Sequence, residues 1–529
     1  MALQLREVAL RLDQDESELP VETARALNLD PAELSDFRVV RRSIDARKRP
    51  RVLRVFTVRF SVADEDALLR RQLRNRRLSR EEEIIPVPVS HLVAPLRVLV
   101  VGMGPAGLFA AWNLARHGVS VTLLERGRPV EERLSDVERF WTDGCLDERS
   151  NVQFGEGGAG TFSDGKLTTR VNHPGIRTIL RTLVDCGAPE SILVDAKPHV
   201  GTDRLRGVLV RFRRELQRLG VDVRFSSCLS GLQVSRGRVV GGLINDADEV
   251  SCDALVLAPG HSARDTYAML SSSGVQLEAK PFALGLRVEH PAVLINRIQY
   301  GLDRHPKLPA ADYRLAWNDA KSGRGVYSFC MCPGGEVINA SSESGRLAVN
   351  GMSHYRRDSE RSNSALVVSV DQRDYGSGVL AGMFYQQRLE ERAFKAGGGG
   401  YRAPAQNLMA FLGRGQGPLC GDCRPGLTSA DLRELLPSDL VDALQQGIVH
   451  FDRRMRGFMT AEAVLIGIES RTSAPLRIVR NVSGESLSHP GLYPAGEGAG
   501  YAGGIMSAAL DGLKAAEQII KQVRNREVL

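Results

Sequence analysis

A glycine-rich turn between two apolar strands constrains the fold more than any other feature of this 529-residue chain. The segment RVLVVG is short and almost wholly apolar, and PAGLFAAWNLARHG follows it with the composition of a helix closed by Gly118. VSVTLLE then reads as a second apolar strand. Strand, glycine turn, helix and strand form a βαβ unit, and such fully apolar strands are typical of a parallel sheet covered by helices. The sequence therefore predicts an α/β fold around this turn.

Within the turn, the glycines have the G-x-G-x-x-G spacing of a dinucleotide-binding site. Gly102 makes the tight turn, Gly104 lets the backbone approach a pyrophosphate, and Gly107 permits close packing of the helix on the strand. The helix opens at Pro105 and Ala106, so its N-terminal amides face the phosphate charge. We therefore expect all five residues to contact a dinucleotide.

The acid at the end of the second strand narrows the choice of nucleotide. Glu125 can accept hydrogen bonds from both hydroxyls of an adenosine ribose, and it would repel a 2′-phosphate. FAD or NAD is therefore expected rather than NADP. Arg126, the next residue, is also expected at the cofactor.

A second glycine-rich turn near the C-terminus favours FAD over NAD. LYPAGEGAGYAGGIMSAALDGLKAAEQII reads as a strand, an acid, a turn and a helix, as in flavoproteins that return to their cofactor at the end of the chain. A helix N-terminus there favours an anionic reduced flavin. A middle strand, DALVLAPGHSA, resembles the turn where such chains recross near the cofactor. The expected contacts from these two segments are Pro259, Gly260, Gly496, Glu497, Gly503, Gly504 and Ile505.

The stretch GEGGAGTFSDGK, residues 155–166, follows the first βαβ unit and holds five glycines. Because glycine loses more backbone entropy on folding than any other residue, such a cluster needs a physical reason. We expect the stretch to lie along FAD and to donate amides to it. Lys166 is a candidate cation beside the flavin edge where negative charge accumulates on reduction. The expected contacts are Gly157, Gly158, Gly160, Thr161 and Lys166.

From about residue 96 to its end, the chain resembles the uncharacterised bacterial FAD-dependent dehydrogenase family. That family is related to the HI0933-like flavoproteins and, more distantly, to proteins with the glutathione-reductase-type FAD fold. The segments that carry the resemblance are VVGMGPAG, NVQFGEGGAGTFSDGKL, FALGLRVEHP, YSFCMCPGGEV, NGMSHYRRDSERSNSALVV, ESRTSAPLRIVR and YPAGEGAGYAGGIMSA. Many relatives have an aspartate where this chain has Glu497. The resemblance implies no particular substrate.

The fold class that follows is α/β, with three parts. A Rossmann-like FAD-binding domain is expected from residues 96–275 and 486–529. Alternating apolar runs between them predict an inserted, β-rich α+β substrate domain at 276–485. Residues 1–95 predict a small N-terminal α+β domain, which ends in the proline-rich connector PVPVSHLVAP.

Catalytic candidates come from three places. The first is Lys166, and the second is Arg471, in ESRTSAPLR. Arg471 could bind a substrate carboxylate with two hydrogen bonds, or it could be one half of a structural ion pair. His354, in NGMSHYRRD, is a candidate acid or base. Weaker candidates are His261, His290, Asn350, Tyr355, Arg356, Thr472 and Ser473.

The eight cysteines are sparse, which favours a reducing cytoplasm over a disulfide framework. Two close pairs, Cys330 with Cys332 and Cys420 with Cys423, have different spacings. We expect buried or partnerless thiols and no metal site. A redox dithiol at Cys420 and Cys423 remains an alternative.

Composition and charge leave the partners open. The net charge of +7 is modest for this length, and no segment reads as a membrane span or as an export signal. No second G-x-G-x-x-G sequence follows a strand and opens a helix, so a separate NAD(P)H-binding domain is not expected. NAD(P)H is therefore expected at most as a transient electron donor. We therefore expect an FAD-dependent oxidoreductase acting on a small molecule. The alternatives are an RNA-directed flavoenzyme that holds tRNA with its arginine-rich N-terminal unit, and a flavin-binding scaffold without turnover.

Overall fold

The computed structural model describes residues 2–81 and 89–527 of the chain. The first residues of the predicted connector therefore lie outside the described part. Residues 89–95 contain no helix or strand, as predicted for a connector. Within the described ranges, no helix is both long enough and apolar enough to span a bilayer.

A five-stranded parallel sheet lies at the centre of the molecule, and its strands come from both ends of the predicted FAD-binding domain. Their spatial order is Leu492–Pro494, Ala254–Leu257, Arg97–Val101, Ser120–Leu124 and Asp222–Arg224. The predicted strand–turn–helix–strand unit is therefore present. The closing strand pairs beside Ala254–Leu257, so residues from opposite ends of the chain meet in one sheet.

The two faces of the parallel sheet are covered differently. Val98 and Val100 point into a core shared with surrounding helices, whereas Leu99 and Val101 pack against an antiparallel sheet. The sequence predicted helices as the cover, but one face is thus covered largely by strands. That smaller sheet consists of Leu229–Ser235, Arg238–Ile244 and Asp248–Ser251. The α-helices of this part of the chain are Pro105–Arg116, Val130–Asp143, Gly175–Asp185, Thr202–Arg218, Arg264–Ser272 and Ile505–Glu527.

A second large sheet has seven strands, and all of its neighbours pair antiparallel except one edge pair. This agrees with the alternating apolar runs in the sequence. In spatial order the strands are Ala316–Asn318, Gly325–Cys332, Arg361–Val370, Phe282–Pro291, Val464–Glu469, Ala403–Asn407 and Leu427–Ser429. Two small antiparallel ladders flank it, Leu277–Ala279 with Leu476–Ile478 and Glu336–Asn339 with Val349–Met352. The accompanying α-helices are Ala292–Tyr300, Gln372–Tyr375, Ala381–Ala396, Leu408–Phe411 and Ser438–Arg454.

The N-terminal part is a four-stranded antiparallel sheet with two helices, Leu19–Leu27 and Glu65–Arg71. The strands are, in spatial order, Ser35–Lys48, Arg51–Ser61, Leu3–Arg11 and Leu78–Arg80. The arginine-rich part of the N-terminal unit, residues 38–54, therefore lies mainly in the long edge strand Ser35–Lys48. Arg42 in that strand exchanges backbone hydrogen bonds of 2.8 Å with Val194 and Ala196, which joins the N-terminal sheet to the FAD-binding part.

The first and last helices of the FAD-binding part pack against each other at a glycine. A Cβ atom at Gly512, in the helix Ile505–Glu527, would lie 1.9 Å from the carbonyl oxygen of Ala106. Ala106 opens the helix that follows the first glycine turn. The close approach of these two helices therefore fixes the distance between the two predicted nucleotide turns.

This contact predicts that Gly512→Ala destabilises the protein. A methyl group with no room forces the helices apart, which costs roughly 1–3 kcal/mol of unfolding free energy. Gly207→Ala is the matched control, because Gly207 is also helical and an added Cβ there meets nothing within 4 Å. Alanine at Gly207 is expected to be neutral or to stabilise by roughly 0.5–1 kcal/mol. Urea unfolding of both variants checks this, and equal midpoints would contradict the packing argument.

Candidate functional site

A cavity of about 400 Å³ opens at the carboxyl ends of the parallel strands. Parallel α/β sheets bind their ligands at this edge. The cavity is lined by both glycine turns, by the glycine-rich stretch 155–166, and by one wall of the seven-stranded sheet. The predicted residues on its surface are Gly102, Gly104, Pro105, Ala106, Glu125, Arg126, Gly158, Gly160, Lys166, Pro259, Gly260, Arg471, Gly496, Glu497, Gly503, Gly504 and Ile505.

The first glycine turn has the geometry that its spacing predicts. Gly102 adopts a φ of +96°, and a Cβ there would lie 2.2 Å from the carbonyl oxygen of Ala258. The helix begins at Pro105 with Gly104 as its N-cap, and no side chain caps it. The amides at this helix N-terminus therefore suit an anion such as a pyrophosphate.

Three expected cofactor residues lie just behind the cavity surface. A Cβ at Gly107 would lie 1.8 Å from the carbonyl oxygen of Gly102, so Gly107 permits the turn and does not line the cavity. Gly157 is buried against Leu209, and the Thr161 hydroxyl donates to the Glu156 carbonyl at 2.9 Å. The expectation of direct contact is therefore replaced, for Gly107, Gly157 and Thr161, by a role in shaping the turn.

Glu125 is buried, and backbone amides already hold its carboxylate. It accepts hydrogen bonds of 2.9 Å from the amides of Met103, Gly127 and Gly155. A carboxylate has about four lone-pair sites, so about one remains free. The sequence predicted that Glu125 accepts from both ribose hydroxyls. The structure leaves room for one of them, since the carboxylate also ties the glycine-rich stretch to the first turn.

The glycine-rich stretch 155–166 is a structured part of the cavity wall. Gly155, Gly157, Gly158 and Gly165 all have φ between +62° and +117°, a region that side chains with a Cβ rarely adopt. Gly160 has no positive φ, but a Cβ there would lie 3.3 Å from the Ile505 side chain. The glycines therefore allow a tight path that runs from the first turn to the helix of the second turn.

One buried arginine holds this path in place. Arg133, in the helix Val130–Asp143, is 0% exposed and donates to the carbonyls of Asn151, Val152, Glu156 and Gly158 at 2.7–3.0 Å. Its fifth donor reaches the hydroxyl of Thr161 at 3.2 Å. Burial lowers the pKa of Arg133 to about 10. All five N–H groups of the guanidinium are thus used to fix one loop. The sequence analysis missed Arg133.

Lys166 lies at the end of the stretch and lines the cavity. It donates to the carbonyl of Met331, and its Nζ is 3.3 Å from Asp164. Asp164 is buried and also accepts from Arg357 at 2.5 and 2.9 Å and from the hydroxyl of Ser353. One carboxylate is therefore shared by two cations.

The second glycine turn places an acid opposite a histidine. Glu497 lies 3.7 Å from Nε2 of His261, and both residues line the cavity. Burial raises the pKa of Glu497 to about 7. Burial, together with Arg471 and Arg264, lowers the pKa of His261 to about 4. His261, a weak candidate in the sequence, is thus a neutral imidazole beside the recrossing turn at Pro259.

Arg471 lines the cavity, but its donors are committed to other protein groups. It donates to Glu390 at 2.9 and 3.0 Å, and to the hydroxyls of Ser342 and Ser262 at 2.5 and 3.2 Å. Glu390 is 0% exposed and also pairs with Arg264 at 2.7 Å. A bidentate clamp for a substrate carboxylate is therefore not available here. Of the two alternatives in the sequence analysis, the structural ion pair is the one that fits.

His354 is exposed and does not line the cavity. The main chain at His354 and Tyr355 packs against Gly201 instead, so the predicted acid or base role is not supported by its position. His290 is fully buried and hydrogen-bonds the Phe458 carbonyl at 2.8 Å, which is a structural role. Among the weaker candidates, Asn350 and Thr472 do line the cavity.

The cysteines of the two close pairs differ in their exposure and in whether they line the cavity. All eight thiols are free, and Cys330 lines the cavity whereas Cys332 is buried behind it. Cys420 is exposed and Cys423 is buried, away from the cavity. Among the described residues, no group of three or more histidine, cysteine or acidic side chains has the arrangement of a metal site. The expectation of buried or partnerless thiols therefore agrees with the eight free cysteines, although Cys330 also lines the cavity.

Three family models match parts of the chain. A model described as "FAD-dependent protein, C-terminal domain-like" matches residues 281–472, and one described as "FAD dependent oxidoreductase" matches residues 97–150. A domain of unknown function matches residues 2–61. The second model covers the first glycine turn and Glu125, and the first covers the cavity wall of the seven-stranded sheet.

Comparisons over most of the chain found one curated relative and several solved structures. An uncharacterized protein of Clostridium beijerinckii is 47% identical over 530 residues, which cover 99% of each chain. Among solved structures, the flavin-dependent brominase Bmp2 aligns with a TM-score of 0.38 at 13% identity, over 82% of this chain and 80% of the brominase. Glycine oxidase from Bacillus cereus aligns with a TM-score of 0.36 at 12% identity, over 81% and 95%. Scores of this size carry no argument about this chain's chemistry. The closer relationship to the HI0933-like flavoproteins stays a prediction.

The hydrogen bonds of Arg133 predict that Arg133→Lys lowers the affinity for FAD. Lysine keeps the charge but offers three donors from a single nitrogen, so most of the carbonyls of the stretch lose their partner. We expect a loss on the order of tenfold or more in FAD affinity, equivalent to about 1.4 kcal/mol or more. Flavin fluorescence during titration of the FAD-free protein measures this.

Arg139→Lys is the matched control, since Arg139 lies on the same helix, is exposed, and reaches only Asp136 at 3.4 Å. This control is expected to bind FAD as the unaltered protein does. Equal affinities for Arg133→Lys and the unaltered protein would contradict the role given to Arg133.

Proposed function

The chain belongs to a family of FAD-dependent oxidoreductases, and we propose that it transfers a hydride or an electron pair between FAD and a small-molecule substrate. The observation that carries the proposal is the convergence of two remote glycine turns and the stretch 155–166 on one cavity. A site for NAD alone has no need of the second turn.

The residues present fit FAD. Gly104 and Gly158 approach so closely that a Cβ at Gly158 would lie 3.2 Å from the Cα of Gly104, which leaves a cradle of bare backbone. The amides at Pro105–Arg116 and Ile505–Glu527, two helix N-termini, face the same cavity and would hold the phosphates and the flavin end. Glu125 would take one ribose hydroxyl. When bound, FAD supplies the redox chemistry.

The protein's own contribution to electron transfer is electrostatic. Burial opposes the charge of Lys166, but Cys332 and Asp164 outweigh it and raise its pKa, so Lys166 stays protonated. Asp164 is shared between Lys166 and Arg357, so its single negative charge faces two cations. A fixed cation at this wall stabilises the negative charge that a flavin gains on reduction. We therefore propose that Lys166 raises the reduction potential of bound FAD.

The substrate is proposed to enter against the wall of the seven-stranded sheet. Phe329, Cys330, Asn350 and Thr472 line that part of the cavity. Its charged groups are paired within the protein, as Arg287 is with Glu469 at 2.8 Å. Such a wall suits a small molecule of low charge. NAD(P)H is proposed only as a transient electron donor.

The proposal predicts that the purified protein is yellow and that its flavin absorbance bleaches when it is mixed anaerobically with NADH or NADPH. Bleaching identifies a reductase linked to pyridine nucleotides. A flavin that neither nucleotide bleaches but that a chemical reductant does would point to another electron donor. A colourless protein that stays colourless with added FAD would refute the proposal.

The proposed role of Lys166 predicts a change in the midpoint potential of the flavin, measured anaerobically from its absorbance. Lys166→Met is expected to lower this potential by roughly 30 mV, which corresponds to about 1.4 kcal/mol for two electrons. Lys197→Met is the matched control, because Lys197 pairs with Asp312 on the surface and does not line the cavity. Equal potentials for the two variants would refute the role of Lys166.

A further inference from the structure

The strand Gly325–Cys332 ends in two cysteines at the wall of the FAD cavity. Cys330 lines the cavity together with Phe329, Lys166 and Glu469. Cys332 is 0% exposed, and its thiol donates to the carbonyl of Cys330 at 3.4 Å. Cys330 therefore lies at the cavity surface, and the buried Cys332 contacts its main chain.

The backbone between these cysteines departs from a regular strand. On a regular strand, the Cα atoms of residues i and i+2 are roughly 6.6 Å apart. This distance is at the upper limit of the Cα–Cα separation that a disulfide can bridge. Here Cys330 has a φ of +43°, and the pairing with the strand Arg361–Val370 is irregular between Phe329 and Cys332. Non-glycine residues rarely hold this conformation, and those that do are concentrated at functional sites. The bend directs the Cys332 thiol back towards Cys330.

Two cations lie beside the pair. Lys166 donates to the carbonyl of Met331, the residue between the cysteines. Arg287 donates to the Cys330 carbonyl at 3.3 Å, and its Nη1 lies 4.0 Å from the sulfur of Cys332. The neighbouring Cys332 thiol, helped by both cations, holds the pKa of Cys330 well below its usual range, and Cys330, together with burial, raises the pKa of Cys332. One thiol is thus a ready thiolate, and the other keeps its proton.

We propose that Cys330 and Cys332 are a redox-active dithiol that exchanges an electron pair with the FAD bound in the same cavity. Oxidation forms one S–S bond, and the Cys330 thiolate and the Cys332 thiol together give up two electrons and one proton, which convert FAD to its anionic two-electron reduced form. The reverse reaction opens the disulfide with an electron pair from the reduced flavin. This rests on the proposed function only in that FAD occupies the cavity. It gives the site a substrate class, namely thiols and disulfides that exchange with Cys330.

The other close pair, Cys420 and Cys423, lacks these features. Cys420 is exposed and Cys423 is buried. Burial, with Glu289 and Glu336 nearby, raises the pKa of the Cys423 thiol, so it is a poor nucleophile. Neither residue lines the cavity. This pair therefore serves as the matched control for the first.

The first test treats the FAD-loaded protein with glutathione disulfide, then alkylates it under denaturing conditions and maps the peptides by mass spectrometry. The expected result is a peptide that contains Cys330 and Cys332, resists alkylation and has lost two hydrogens, with two glutathione thiols released. Full alkylation of both cysteines would overturn the proposal. This measurement uses the unaltered protein and needs no variant to fold.

The second test counts electrons. The oxidised protein, freed of glutathione, is titrated anaerobically with dithionite until the flavin is bleached. About four electrons per FAD are expected, two for the flavin and two for the disulfide, whereas Cys330→Ser, which removes the thiol that exchanges with glutathione, should need about two. The double variant Cys420→Ser with Cys423→Ser should again need about four. About two electrons in the unaltered protein would overturn the coupling to FAD. Because dithionite replaces NAD(P)H, this result is independent of whether either nucleotide reduces the flavin.

Discussion

The hydrogen bonds of Arg133 are the interaction on which the site depends most. A buried guanidinium is costly unless each of its donors finds an acceptor. Here the acceptors are four main-chain carbonyls and one hydroxyl within residues 151–161, rather than a carboxylate. The side chain thus converts a glycine-rich segment, which is entropically expensive to order, into a fixed surface. The helix Val130–Asp143 supplies that side chain from behind the cavity.

The stretch 155–166, once fixed, connects every other part of the site. Glu125 ties the beginning of the stretch to the first glycine turn, and Gly160 lies beside Ile505 of the second turn. At the other end of the stretch, Asp164 binds Arg357 and Lys166 binds the carbonyl of Met331, and both partners belong to the inserted part. The remaining charges near the cavity are mostly compensated within the protein, as in the group of Arg264, Glu390 and Arg471. Lys166 and the cysteine pair beside it lie at the cavity wall and are not part of that group. Those groups are where chemistry beyond cofactor binding is expected.

Local patterns in the sequence predicted the elements well and the side-chain network poorly. The glycine turns, the parallel strands and the antiparallel insertion follow from glycine spacing and from runs of apolar residues, which act over a few neighbours. Arg133 was missed because an arginine in an amphipathic helix ordinarily faces water, and its acceptors lie 18–28 positions along the chain. Arg471 lines the cavity, as its place in the sequence suggested, yet its partner Glu390 is 81 positions away. The left-handed conformation of Cys330 could not be predicted either, because a single residue with positive φ inside a strand leaves no signal in composition.

Hydrogen–deuterium exchange tests the central claim most directly, namely that the stretch 155–166 and both glycine turns hold one FAD as a unit. The full chain is compared after removal of FAD and after its return. We expect the amides of 102–107, 155–166 and 503–507 to slow together by a similar factor when FAD is restored, because one ligand closes all three. Protection confined to 102–107, with unchanged exchange across 155–166 and 503–507, would contradict the account.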